Sequence, residues 1–112
     1  MRIVDGKRFL KKDIEAATKI DNDGWDYYDG RNYQWYTLLY NPDCGLVILG
    51  ASNSGDCYGD CGTKYFSSPQ SFHQWAIEND KSVEALLGDI DETNAVAMKF
   101  VDELFRNGKE NC

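Results

Sequence analysis

Apolar and polar residues are spaced unevenly along the chain, and each change of spacing marks an element. The opening RIVDGKRF is a short run broken by Asp5-Gly6, a dipeptide suited to a type I′ turn, and it predicts a small hairpin. From Phe9 the period lengthens. Leu10, Ile14 and Ala17 recur at i, i+4 and i+7 with Ile20 close to the same face, which predicts an amphipathic helix over 9–20, ended at Asn22-Asp23-Gly24. DNDGWDYYDGRN (21–32) is polar and turn-rich, yet interleaved with Trp25, Tyr27 and Tyr28. YQWYTLLY (33–40) and LVILGA (46–51) then flank NPDCG, where Pro42 suits an early turn position and Gly45 the exit. They predict an antiparallel hairpin over about 33–51. Within the first strand, Tyr33, Trp35, Thr37 and Leu39 share one face, while Gln34, Tyr36, Leu38 and Tyr40 share the other. One of those faces must be buried. CYGDCGTKYF (57–66) is expected to add a short hairpin or edge strand, with the doubled Gly-Asp-Cys of 55–61 forming a tight reversal.

The remaining residues are helical in pattern. Ser68-Pro69 is a capping residue followed by proline at the first helical position, and Phe72, Trp75 and Ala76 fall at i, i+3, i+4, predicting a helix over about 69–79. Ser82 can cap a shorter helix through Val83, Leu86 and Leu87 that stops at Gly88. Asp91 or Thr93 is expected to cap the last helix, with Val96, Phe100, Leu104 and Phe105 inward and Asn107-Gly108 at its end. The predicted architecture is α+β: a small antiparallel sheet packed by an N-terminal helix and two or three C-terminal helices, in one globular domain spanning 1–112. A chain of 112 residues buries about 65% of its unfolded surface, enough for a self-sufficient core.

Charge changes the picture more than composition does. The net charge is −7, but residues 1–20 hold six basic residues against three acids, while the remainder carries sixteen acids against six bases. A net −10 over residues 21–112 argues against phosphate-backbone binding by the bulk of the protein, which needs Lys and Arg clusters. It suits a partner with a basic face. No apolar run reaches a membrane span, and the start lacks the apolar core of a secretory signal, so a cytoplasmic protein with reduced cysteines is expected.

Four candidate chemistries lack the residues they need. Cys44, Cys57, Cys61 and His73 make a Cys₃His set, but only Cys57 and Cys61 have knuckle spacing, and the second half of a zinc knuckle pair is missing. Asp56 and Asp60 beside the thiols oppose thiolate formation, which argues against a Cys–His nucleophile, and His73 lies on an aromatic-bearing helix. No frame of DNDGWDYYDGRN places calcium-loop ligands and glycine together. GASNSG lacks the lysine of a phosphate loop. The expectation is therefore no enzyme, no cofactor and no metal.

What remains is the acidic, aromatic run. Asp21, Asp23, Asp26 and Asp29 alternate with Trp25, Tyr27 and Tyr28, the residue types richest in binding hot spots, and a second acidic stretch from Glu78 through Asp80 and Glu84 to Glu92 could extend the negative surface. These ten residues, Asp21 to Asp29 with Glu78, Asp80 and Glu84, form the candidate partner-binding site. The function they suggest is a non-enzymatic inhibitor that occludes the basic, nucleic-acid-binding groove of a partner protein. Small acidic domains of that kind include anti-CRISPR-like anti-defence proteins and immunity proteins. The alternatives are a small-ligand binder that stacks a nucleotide-like ring on its aromatics, and a structural subunit of a larger assembly. No direct nucleic-acid or membrane contact is expected, and the basic N-terminal helix has no assigned role.

Overall fold

The computed structural model describes residues 2–20, 25–27, 33–53, 59–88 and 90–110, and the side chains of 2–20, 36–50, 63–88 and 90–104. In chain order the elements are β1 (Arg2–Val4), β2 (Lys7–Phe9), α1 (Lys11–Glu15), β3 (Thr18–Lys19), β4 (Trp25–Tyr27), β5 (Tyr33–Tyr40), β6 (Val47–Asn53), β7 (Gly59–Phe66), α2 (Pro69–Glu78), α3 (Val83–Leu87) and α4 (Ala95–Glu110). The α+β architecture holds, with strands first and the long helices grouped at the C-terminal end.

β1 and β2 form a two-stranded hairpin around Asp5 and Gly6, whose φ of 52° and 80° are the two left-handed values a type I′ turn requires. A second, five-stranded antiparallel sheet is built on the β5–β6 hairpin. β7 adds to the free side of β6, while β5 is met at its two ends by different short strands. β3 pairs with Leu39 and Tyr40, and β4 with Tyr33, Gln34 and Trp35. The β5–β6 turn is organised by Asn41. Its buried amide donates to the Asp13 carbonyl at 2.9 Å, and its side-chain oxygen accepts from the Asp43 backbone at 3.0 Å. Gly45, at φ 87°, closes this turn where a Cβ would come within 3.3 Å of the Ser67 carbonyl.

Alternation divides the sheet into two faces. Tyr36, Leu38 and Tyr40 of β5, with Val47, Leu49 and Phe66, meet the helices in one core completed by Phe72, Leu86, Phe100 and Leu104. Edge-to-face aromatic contacts run through it, Tyr40 to Phe100 at 5.2 Å and Phe66 to Phe72 at 5.5 Å. Burial raises the pKa of the Tyr40 hydroxyl. The opposite face carries Leu39, Ile48 and Tyr65, which pack with Leu46 against Val4 and Phe9 of the N-terminal hairpin and against Ile14 and Ala17.

The sequence expectations differ from this fold at several elements. The helix expected over 9–20 is only Lys11–Glu15, because Thr18 and Lys19 pair with β5 and Ile20 enters the helix-side core. Residues 25–27 are a strand, not a turn, and the rest of 21–32 lies outside the described residues. The last helix is capped by Asn94, whose side-chain oxygen accepts from the backbones of Val96 and Ala97, both at 3.1 Å. Asp91 instead accepts from Thr93, and those bonds lower its pKa. That helix also continues past Asn107-Gly108 to Glu110. Ser68 and Ser82 cap α2 and α3 as their positions imply.

Candidate interaction surface

Of the expected partner-binding residues, Asp21, Asp23, Tyr28 and Asp29 lie outside the described residues, and for Trp25, Asp26 and Tyr27 the backbone alone is described. Glu78 ends α2, Asp80 lies in the α2–α3 junction, and Glu84 is in the first turn of α3. All three are exposed.

Packing brings the two acidic stretches together. The apolar face of α3, Val83, Leu86 and Leu87, is buried in the helix-side core, and α3 packs against both β4 and β5. Asp26 is paired with Gln34 in the β4–β5 register, and Gln34 alternates with Tyr36. Register position 26 therefore belongs to the helix-bearing face, the face on which α3 sits. The acidic strand and the acidic helix junction, more than fifty residues apart in the chain, share one end of the molecule.

The same alternation separates residues that are neighbours in sequence. Trp25 is paired with Trp35 and Tyr27 with Tyr33, so these four register positions fall on the other face, in line with Thr37 and Leu39. The N-terminal hairpin covers that face as far as Leu39, Ile48 and Tyr65. One register step further, Thr37 and Thr63 are exposed. The expected site is thus split into an acidic part on the helix side and an aromatic part on the opposite sheet face.

Of the carboxylates described at this end two have neutral partners, and Lys81, over the Tyr36 ring at 6.0 Å, lies between Asp80 and Glu84 in the chain. Glu78 accepts from Gln74 Nε2 at 3.0 Å and Glu84 from Ser82 Oγ at 3.1 Å, while the Asp80 carboxylate has no partner among the described residues. Two features make this charge unfavourable to the isolated fold. Glu78 and Asp80 sit at the C-terminus of α2, the negative end of its dipole, where cations are favoured. Asp80 also adopts φ 55° at the first position beyond the α2 cap. There the Asp80 N–H donates to the Ile77 carbonyl and the Lys81 N–H to that of Ala76, the pattern that ordinarily selects glycine.

The basic residues gather at the other end. The N-terminal hairpin meets the first turn of α2, where the Asp5 carboxylate accepts from Ser71 Oγ at 2.9 Å and Ser67 Oγ at 3.0 Å. These bonds lower its pKa, that to Ser71 most. β3, carrying Lys19, pairs with the Tyr40 end of β5, whereas β4 pairs with the Tyr33 end. Two rulers separate Lys19 and the N-terminal hairpin from Glu78, Asp80 and Glu84: α2, about 15 Å long, and β5, about 23 Å. Both exceed the Debye length of about 8 Å at physiological salt, so each pole presents its own field.

Of the candidate metal ligands, Cys44 packs against the N-terminal cluster and His73 lies on α2. Cys57 lies outside the described residues. Cys61 is not in a turn but inside β7, as the unpaired residue of a bulge between Asp60 and Gly62. Among the described residues no group of three metal-ligating side chains occurs, and no helix is long and apolar enough to cross a membrane. Comparison with protein-family models, with curated proteins and with solved structures found no match.

Proposed function

We propose that this chain is a non-enzymatic, cytoplasmic interaction protein whose acidic pole binds the basic surface of a partner protein and inhibits it. The observation that carries the proposal is the packing of α3 on β4, which makes one pole from two acidic segments distant in sequence. Carboxylates with neutral partners, at a helix end that disfavours them and in a backbone conformation that favours glycine, are what selection for an external cation would leave behind. Carboxylates gathered at one pole can stand in for phosphates, so the partner surface we infer is a groove that otherwise holds nucleic acid. By analogy of size and charge, the biological setting is an anti-defence or immunity-type inhibitor.

Capture from a lysate of the native host tests this. Wild-type protein should retain one or a few basic proteins. Asp26→Lys on β4 and Glu84→Lys on α3 should each weaken that capture about tenfold, with thermal melts unchanged. Capture that is indifferent to both reversals would refute the proposal.

The paired positions Trp25–Trp35 and Tyr27–Tyr33 favour one second reading, a stacking platform for a ring-shaped small ligand on the opposite face. Trp25→Ala would abolish such binding while charge reversal at Glu84 would not. Stacking would also persist at high salt.

A further inference from the structure

The basic pole has a surface of its own. The acids of the N-terminal segment are engaged internally: Asp5 with Ser67 and Ser71, Asp13 with the Leu10 backbone at 2.8 Å, and Glu15 with Lys11 at 3.7 Å. Asp43 and the Asp91–Glu92 turn lie on the sheet side of this end, beside Cys44 and Lys19. Three of its cations, Arg2 over the Tyr65 ring, Lys7 on the Cys44 carbonyl and Lys11, are engaged too. The side chains of Arg8, Lys12 and Lys19 are exposed and have no hydrogen-bond or ion-pair partner among the described residues, although the Lys19 carbonyl accepts from Asn94 at 3.3 Å. Beside them stand two of the most exposed large apolar residues described, Ile3 at 63% and Leu10 at 43%. Ile3 is paired with Arg8, and Leu10 follows two positions on, so all three occupy the outer face of the hairpin, away from Val4 and Phe9.

The acidic pole has the complementary pattern. Ile77, 59% exposed, is flanked by Glu78 and Asp80, with Glu84 on the next helix. From this match of aliphatic centre and opposite charge, on poles held at opposite ends of α2, we infer that the chain associates head to tail with a second copy of itself. The Ile3–Arg8–Leu10 face of one molecule docks on the Ile77–Glu84 face of the next. Nucleic acid is the poorer occupant of the basic pole, because the remainder of the molecule is strongly anionic and the patch offers aliphatic rather than stacking side chains. A contact between different surfaces is heterologous, so it builds rings or open chains rather than an isologous dimer. With few aliphatic anchors the contact is weak, and it depends on low ionic strength. The inference does not depend on the inhibitor proposal, although a captured partner would compete for the same acidic pole.

Sedimentation velocity on the full chain tests it. The weight-average sedimentation coefficient of the wild type should rise with protein concentration at low salt and return to the monomer value in about 0.5 M NaCl. Arg8→Glu/Lys12→Glu and Glu78→Lys/Glu84→Lys should each sediment as monomers, and their equimolar mixture should associate again. A wild type that stays monomeric at every concentration and salt overturns the inference. So does association that neither salt nor either reversal alters, or a mixture that remains monomeric. The Arg8→Glu/Lys12→Glu protein keeps the acidic pole, so its capture of a basic partner should match the wild type. Failure of self-association is thereby distinguished from failure of the inhibitor proposal.

Discussion

Asp80 shows how a single residue can report a requirement external to the fold. A non-glycine residue in the left-handed region costs about 1–2 kcal/mol, partly offset by the extra unfolded-state freedom of glycine, about 0.5–1 kcal/mol. Asp80→Gly should therefore raise the unfolding free energy by about 0.5–1 kcal/mol, measurable by urea titration, while weakening capture of a basic partner. Equal capture by the variant would make Asp80 an unexplained local strain. Residues whose role is set by their immediate neighbours were legible in the sequence: Ser68, Pro69 and Ser82 at helix starts, and Asp5-Gly6 in its turn. The cap of the last helix was not. Asp91, Thr93 and Asn94 are all competent, and Asn94 is selected by where the helix must begin to bury Ala97 and Phe100.

Among the elements, the N-terminal hairpin is joined to the sheet by a small apolar cluster and by the Asp5 carboxylate on Ser67 and Ser71. The folded-state pKa of Asp5 is lowered, so its contribution is present above the unfolded value of about 3.9 and is lost as pH falls through the lower folded value. Asp5→Asn, which tolerates the same backbone conformation, should be less stable than wild type at neutral pH. That difference should shrink as pH falls below the unfolded value of about 3.9 and through the lower folded value, when melting temperatures are compared across pH. A difference that persists in acid would show that the carboxylate charge is not what matters. The β5–β6 hairpin and the C-terminal helices could be read from periodicity, because one period dominates each. The segment 9–20 could not. Leu10, Ile14 and Ala17 keep helical spacing, but Leu10 is exposed and Thr18 to Ile20 are claimed by the edge of β5. β4 is three residues of alternation inside a turn-rich stretch, and only its pairing with β5 makes it a strand.

At the scale of the whole molecule, the segregation of charge between residues 1–20 and the remainder becomes a spatial polarity. The basic groups of residues 1–20 lie towards the N-terminal end of α2 and the Tyr40 end of β5, where Asp43 and the Asp91–Glu92 turn also lie. Glu78, Asp80 and Glu84 lie at the opposite end, with Lys81 between them. The charge imbalance was visible in the sequence. The joining of the acidic segments was not, since it rests on the contact of α3 with β4. The split between Asp26 and its aromatic neighbours follows from strand alternation once residues 25–27 are known to pair. A polar molecule of this kind should approach a basic surface acid pole first, with the negative end of the α2 dipole adding to the field. The most direct measurement is the association rate constant with the captured partner as a function of ionic strength. It should fall at least about tenfold between 50 and 500 mM NaCl, and much less for Asp26→Lys/Glu84→Lys. A rate constant that does not respond to salt, or that responds equally in the variant, would contradict the acidic pole as the binding surface.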